Sequence, residues 1–444
     1  MNFKNKKCLV YGLGESGRSV IKLLTTLNAH VFFYDEDINY YNQIGYVKDL
    51  SKEKFDYCII SPGVKVKGNE NIEILKQNKT KILSELDLGY LFIKGKIIAV
   101  TGTNGKTTTC MLLYKILKEA GKDVYLCGNI GLPITNLYGK TNKDSVIVCE
   151  VSSFQLETSS FFRCEVGAIL NIKPDHLDRH GSFEEYVEVK RKLLKMTKRD
   201  VLNLDDEIVK KLITNKKFTF FSKKTLKKGV FIKNNCIFYN KTKIFDLNNL
   251  NLLGEKNLEN VLAAVACLID FKIPNMVFNK AISSFKPASH RLEKVGEWKG
   301  ITFIDDSKAT NIASTINALT AFKNKEIVLL LGGQGKGYPY DEIFEYNTKK
   351  IIAFGEEGKS IFECAKKYNK NVELFSNFES ACSFAVKTAQ SGDVVLLSPA
   401  CSSYDEFSSY IERGEKFKEI VLRFISEQNQ KGEFFKSLCI KQEK

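Results

Sequence analysis

The densest chemical signal in this 444-residue chain is Gly102-Thr103-Asn104-Gly105-Lys106-Thr107-Thr108. It stands between the apolar run Ile97-Ile98-Ala99-Val100 and a segment with Leu112, Leu113, Ile116 and Leu117 spaced for one helical face. A glycine loop between strand and helix turns backbone N–H groups toward phosphates. Its lysine reaches the β- and γ-oxygens of a nucleoside triphosphate, and the following hydroxyl reaches Mg²⁺. The general pattern has a glycine five residues before Gly105, where this chain has Val100. The loop is therefore a shortened variant, and triphosphate binding is its expected function.

Three further groups stand near it in the chain. Glu150 closes the apolar segment Val146–Cys149, where a carboxylate beside a phosphate loop can complete an Mg²⁺ shell. Asp175-His176-Leu177-Asp178-Arg179-His180 follows a strand expected at Ala168–Ile172 and holds half of the four histidines. Such a cluster suits either a divalent metal or an ordinary hydrogen-bonded loop. After Ser182-Phe183-Glu184-Glu185, which reads as a capping box, an apolar helical stripe runs Phe183, Val187, position 190, Leu194. Position 190 is Lys190. Facing inward, its amine would be desolvated, low in pKa and nucleophilic; snorkelling to water is the other reading of the same spacing.

Gly12-Leu13-Gly14-Glu15-Ser16-Gly17 forms a second glycine turn, with Asp35 at the end of the next strand, His30–Tyr34. A dinucleotide or any other pyrophosphate-bearing nucleotide satisfies that geometry. Toward the C-terminus, His290-Arg291 precedes a strand ending in Asp305-Asp306-Ser307-Lys308-Ala309-Thr310-Asn311. Gly332-Gly333-Gln334-Gly335-Lys336 and Ser398-Pro399-Ala400-Cys401-Ser402-Ser403-Tyr404 follow two more expected strands. Open α/β sheets collect ligands at such strand ends.

Strand-like and helix-like segments alternate almost throughout, which predicts an α/β protein with largely parallel sheets. Three sections are expected: 1–94, 95–288 and 289–444. The polar stretch near 205–250 reads as an insertion with one short β-element. Composition is 43% hydrophobic and 27% charged, as in globular proteins. The 67 Lys and Arg against 52 Asp and Glu leave +15, but the cations are scattered. No basic block alternates with aromatics, so nucleic-acid binding is not expected. No run approaches the roughly 20 apolar residues of a membrane helix. The opening MNFKNKKCLV lacks the features of a secretory signal. Twelve cysteines without a CxxC pair read as free thiols in a reducing cytoplasm.

Taken together, these stretches resemble the Mur ligase family of cytoplasmic peptidoglycan synthesis, from Gly12 to about Gly414. The loop TGTNGKTT is shared by Mur ligases and folylpolyglutamate synthetases. EVSSFQLE, NIKPDHLDRHGSFEEYVEVK, DDSKATN and LLSPACSSYDEF are similar to the D-glutamate-adding branch. The resemblance implies three domains: Rossmann-like, P-loop ATPase-like and Rossmann-like. It implies an ADP-forming ligase that joins D-glutamate to UDP-N-acetylmuramoyl-L-alanine using ATP and two Mg²⁺ ions. A cytoplasmic monomer without nucleic-acid partners or membrane insertion is expected.

The resemblance also places residues. Gly14, Glu15, Ser16 and Asp35 would hold the UDP moiety, and Asn129 the muramoyl end or the phosphates. Gly102 to Thr108 would bind ATP, with Lys106 on its phosphates and Thr107 on Mg²⁺. Glu150 would share that ion; His176 would bind a second, with Lys190 carrying a carbamate. Asn257, Asn260, Arg291 and Asp306 would contact the nucleotide, and Lys308 the transferred phosphate. Thr310, Lys336, Ser403, Tyr404 and Tyr410 would surround D-glutamate. Lys256 stands where the family often has His, and Tyr404 and Tyr410 where relatives commonly have Leu and Phe.

Overall fold

The computed structural model describes every residue except 38, 39, 41, 42, 214–216, 251–254, 287, 288, 336, 338, 443 and 444, together with the side chains of all but 255 and 431–442. Lys336 thus lies outside the described residues. The chain forms two compact units, one of residues 1–251 and 258–285, the other of 252–257 and 286–444.

The first unit contains two sheets. Strands β1 (Lys7–Tyr11), β2 (His30–Tyr34), β3 (Tyr57–Ile60) and β4 (Lys81–Ser84) are all parallel, in the order β2-β1-β3-β4. Both faces of this sheet are covered, one by Val20, Leu23 and Leu24, the other by Phe55, Ile72 and Leu75. That is why β1 and β3 read as unbroken apolar runs.

The second sheet comprises β5 (Lys96–Thr101), β6 (Val124–Gly128), β7 (Val146–Glu150), β8 (Cys164–Ile169), β9 (Thr197–Asn203), β10 (Phe218–Ser222), β11 (Val230–Lys233), β12 (Cys236–Tyr239) and β13 (Thr242–Asp246). Their order is β13-β12-β11-β10-β9-β8-β5-β7-β6. The strands from β6 to β11 pair in parallel, and β11-β12-β13 is an antiparallel meander. The polar stretch near 205–250 therefore contributes four strands, where the sequence suggests one short element. Two-residue asparagine turns explain the difference. Asn234 and Asn235 take φ 48° and 55° between β11 and β12, as a hairpin with the right twist needs.

The strand expected at Ala168–Ile172 runs instead from Cys164 to Ile169. Its predicted end leaves the ladder because Asn171 turns to hold the phosphate loop, as described below. The order around β5, with β7 on one side and β8 on the other, makes its carboxyl end a topological switch point, where such sheets bind ligands.

The second unit has strands β14 (Glu293–Trp298), β15 (Ile301–Asp305), β16 (Glu326–Gly332), β17 (Lys350–Phe354), β18 (Val372–Leu374) and β19 (Asp393–Ala400). Their order is β14-β15-β19-β16-β17-β18, parallel except for the β14 edge. Among the described residues, no helix is long and apolar enough to cross a membrane. The described cysteines are free thiols, all but Cys364 buried.

Candidate active site

The phosphate loop joins β5 to helix Lys106–Glu119, which starts from Gly105 at φ 86°. A side chain at Gly105 would be strained by that φ and would run into Asn260 Oδ1. The expected nucleotide contact Asn260 thus packs directly against the loop; Asn257 is buried on the same helix, Glu255–Leu268. Asn171 clamps the loop from the other side. Its Oδ1 accepts from Asn104 N at 2.9 Å, its Nδ2 donates to Asn104 O at 3.0 Å, and its carbonyl accepts from Thr103 N at 2.9 Å. No sequence signal singles out Asn171 except its place just after an apolar strand.

Lys106 folds back on the loop, donating to Gly102 O at 2.8 Å and Thr103 O at 2.9 Å. Lys190 reaches the same Gly102 oxygen at 3.0 Å, and its Nζ stands 4.6 Å from the centre of the Tyr186 ring. Only 1% of Lys190 is exposed, which settles its orientation in favour of the inward reading. Burial, reinforced by the nearby Lys106 charge, holds its amine well below the usual lysine range against the pull of Asp175 and Glu150.

Glu150 ends β7 beside β5 and is equally buried. Its Oε1 accepts from Asn129 Nδ2 at 2.8 Å, while its Oε2 has no hydrogen-bond partner among the described residues. His176 takes φ 53° and is partly exposed. Its Nε2 lies 3.6 Å from Asp175 Oδ2, and its ring meets Phe154 edge-on at 4.8 Å. A cavity of about 120 Å³ is lined by Thr103, Lys106, Asn129, Asp175, His176 and Lys190, among others, with Glu150 behind its wall residue Asn129. The structure thus brings together the lysines, carboxylates and imidazole picked out in the sequence. His180 and Asp178 do not line it: His180 is buried behind its wall, with Nε2 3.0 Å from Ser153 Oγ, and Asp178 is exposed.

A larger cavity of about 660 Å³ opens at the carboxyl end of β1. Gly14, Glu15, Ser16 and Asp35 line it, and so does Asn129, which also lines the smaller cavity. The two spaces therefore share a wall residue. Asp35 shapes the glycine turn, accepting from Leu13 N at 2.6 Å and from Asp37 N at 3.0 Å. Gly17 is required because a side chain there would collide with Gly12 O.

Arg179 links this region to helix Ser153–Thr158. Its guanidinium donates to Gly63 O and Val64 O at 3.2 and 2.9 Å, is paired with Glu157 at 2.8 Å, and stacks 4.0 Å from the centre of the Phe154 ring. Ser182 caps helix Phe183–Met196 by accepting from Glu185 N at 3.1 Å. The Glu185 carboxylate does not complete the expected capping box; it pairs with Lys67 at 2.8 Å.

In the second unit the three polar loops do meet. Gln334 and Ser402 exchange backbone hydrogen bonds of 3.0 and 2.9 Å. Fully buried Arg413 holds the same region, donating to Ser307 Oγ at 3.0 Å, Ser307 O at 2.9 Å, Cys401 O at 3.1 Å and Ser402 O at 3.0 Å. Sequence reading missed Arg413 because one arginine in a helical segment looks like surface. Asp306 accepts from Ser398 Oγ at 2.9 Å and Leu292 N at 3.1 Å, and burial pushes its carboxyl up to about 7 despite the Arg291 charge. Lys308 Nζ lies 5.2 Å from the Tyr410 ring centre. Ser403 is buried, Thr310 is half-buried and Tyr404 is 69% exposed.

The buried Glu150 oxygen without a partner, together with the Asp175 carboxylate and His176 imidazole lining the smaller cavity, suits a divalent cation.

The Mur ligase middle domain matches residues 100–268, and the Mur ligase glutamate ligase domain matches residues 290–401. UDP-N-acetylmuramoylalanine--D-glutamate ligase of Thermoanaerobacter sp. (strain X514) is 39% identical, with 95% of this chain and 99% of that one aligned. The ligase of the same name from Clostridioides difficile (strain 630) is 37% identical over the same shares. Among solved structures, a pseudomurein peptide ligase type C from Methanothermus fervidus superposes with a TM-score of 0.62 at 20% identity, covering 95% of this chain and 100% of that one. The UDP-N-acetylmuramate-alanine ligase of Thermotoga maritima gives 0.61 at 20% identity over the same shares. The chain belongs to the Mur ligase family, in the branch whose members are named UDP-N-acetylmuramoylalanine--D-glutamate ligase.

Proposed function

We propose that the chain joins D-glutamate to UDP-N-acetylmuramoyl-L-alanine in an ATP-dependent, ADP-forming reaction through an acyl phosphate, in cytoplasmic peptidoglycan precursor synthesis. Amide-ligase chemistry with ATP and Mg²⁺ comes with the family. The observation that carries the substrate reading is Asn129, which lines both cavities. A UDP-linked acyl group entering from the larger cavity would arrive at Asn129 beside the phosphate loop.

The diphosphate and uridine lie along Gly14, Glu15, Ser16 and Asp35. Lys106 exchanges the Gly102 and Thr103 carbonyls for phosphate oxygens of ATP. The alanyl carboxylate oxygen attacks the γ-phosphorus, the bond to ADP breaks, and an acyl phosphate forms. The unprotonated amine of D-glutamate then attacks the acyl carbon, and the tetrahedral intermediate expels phosphate to leave the amide. Thr107 and Glu150 would hold one Mg²⁺ ion, and His176 with a carbamate on Lys190 a second; these ions offset charge on the phosphate oxygens. A neutral Lys190 amine, as its burial favours, is the form that can take up CO₂. Asn257, Asn260, Arg291 and Asp306 bind the nucleotide. Lys308 accompanies the transferred phosphate, and Thr310, Lys336, Ser403, Tyr404 and Tyr410 surround D-glutamate.

Phosphate release from ATP tests this reading, with UDP-N-acetylmuramoyl-L-alanine plus D-glutamate, L-glutamate or neither. Release that requires D-glutamate supports it. Release only with another amino acid overturns the acceptor, and silence with every acceptor despite ATP binding overturns catalysis.

A further inference from the structure

Helix Glu85–Tyr90 follows β4, with Ser84 as its N-cap. It approaches the 3₁₀ turn Ile134–Leu137 so closely that a side chain on Gly89 would stand 2.6 Å from Ile134 Cγ2. At this contact Glu85 is 1% exposed. Its Oε1 accepts from Thr135 N at 2.9 Å and Thr135 Oγ1 at 2.8 Å, and its Oε2 has no partner among the described residues. Thr135 Oγ1 lies 2.6 Å from Ser19 Oγ; with the Thr135 proton on Glu85, the one Ser19 proton is given to Thr135 Oγ1, Asn136 Oδ1 at 2.9 Å being the competing acceptor. Ser19 sits on helix Glu15–Thr26, whose first turn carries Glu15 and Ser16 in the wall of the larger cavity. Gly131 and Pro133, just before Thr135, belong to the facing wall.

We infer that Glu85 is a positioning residue for the UDP-bearing substrate, fixing the spacing of the two walls through Thr135 and Ser19; this rests on the UDP-substrate reading of that cavity. A buried carboxylate oxygen without a partner costs stability, and hydrophobic packing alone would hold the two elements together. Packing is non-directional, however, whereas a relay of three hydrogen-bonding side chains sets distance and orientation. Arg179 and Lys67 brace the Gly63–Lys67 side of the same cavity through Val64 O and Glu185. The Glu85 relay supplies the brace at the helix Glu15–Thr26 side.

The test uses the full chain and four variants: Glu85→Leu, Glu85→Gln, Thr135→Val and Ser19→Ala. The Kd of UDP-N-acetylmuramoyl-L-alanine and of ATP is measured by calorimetry for each, with the thermal midpoint as a folding check. Glu85→Leu and Thr135→Val are expected to weaken the UDP substrate about tenfold and to leave ATP within twofold. Glu85→Gln, which keeps an acceptor for both Thr135 donors, is expected to restore binding to within about twofold of the parent. Should Glu85→Leu fail to fold, the near-isosteric Thr135→Val carries the test. Unchanged UDP-substrate affinity in folded variants overturns the role of Glu85 alone, and so does an equal loss of ATP affinity. A parent chain that binds ATP but not the UDP substrate overturns the proposed function and this role with it.

Discussion

Lys106 and Lys190 donate to one and the same oxygen, the carbonyl of Gly102, at 2.8 and 3.0 Å. Two ammonium groups on one acceptor repel strongly in a buried setting. Desolvation eases the conflict at Lys190, whose amine is held toward its neutral form.

A neutral, buried Lys190 is expected to take up CO₂. With ¹³C-bicarbonate, the parent chain should show a carbamate carbonyl signal by NMR that Lys190→Ala lacks. The same variant should lower D-glutamate-dependent phosphate release by about a hundredfold or more. A carbamate signal that persists in Lys190→Ala would place the modification on another residue.

Lys106→Ala removes the cation from the phosphate loop but leaves the larger cavity untouched. ATP affinity measured by calorimetry should fall about tenfold or more, with the Kd of the UDP substrate unchanged. A parallel loss of both affinities would contradict the separation of the two cavities.

Asp306 gives a pH dependence with a definite sign. Its folded value of about 7 lies above the ordinary carboxyl value, so the fold favours the protonated form. Its stabilising contribution is complete below about pH 4 and is lost as pH rises toward 7. Relative to Asp306→Asn, the parent should lose up to about 4 kcal/mol across that window, read from denaturant melts at pH 4, 5.5 and 7.5. A constant difference between the two proteins would remove Asp306 as the titrating group.

Arg413 donates to Ser307, Cys401 and Ser402 from a fully buried position. Arg413→Ala strands those acceptors and should cost about 3 kcal/mol or more, seen as a fall in the denaturation midpoint. Because Ser307 and Ser402 adjoin Lys308 and Ser403, KM for D-glutamate should rise more than KM for ATP. Lys cannot reproduce the fork geometry, so Arg413→Lys should recover little.

Much of this site is local in origin and therefore visible in the sequence. A phosphate loop is written by glycines between a strand and a helix, so Gly102 to Thr108 is legible without any tertiary information. Glu150 is legible because a strand's end is marked by the end of its apolar run. Lys190 is half legible: helical spacing puts it on the inner stripe, but spacing cannot decide between a desolvated amine and a snorkelling one. The strands of 205–250 were obscured because they are only four or five residues long and the turn between β11 and β12 uses Asn234-Asn235, a weaker signal than Asn-Gly.

By itself, then, the sequence determined where backbone turns must expose N–H groups, where strands stop, and which charged residues share a face with apolar ones. These follow from conformational preference and periodicity, which act over a few residues. Only the tertiary structure decided that Asn171 would clamp Asn104, that Glu85 would reach Thr135 across 50 residues, and that Arg413 would reach Ser307 across 106. Such partners depend on strand order and on which helix covers which face, and those are settled by the collective burial of the sheets rather than by any neighbouring residue.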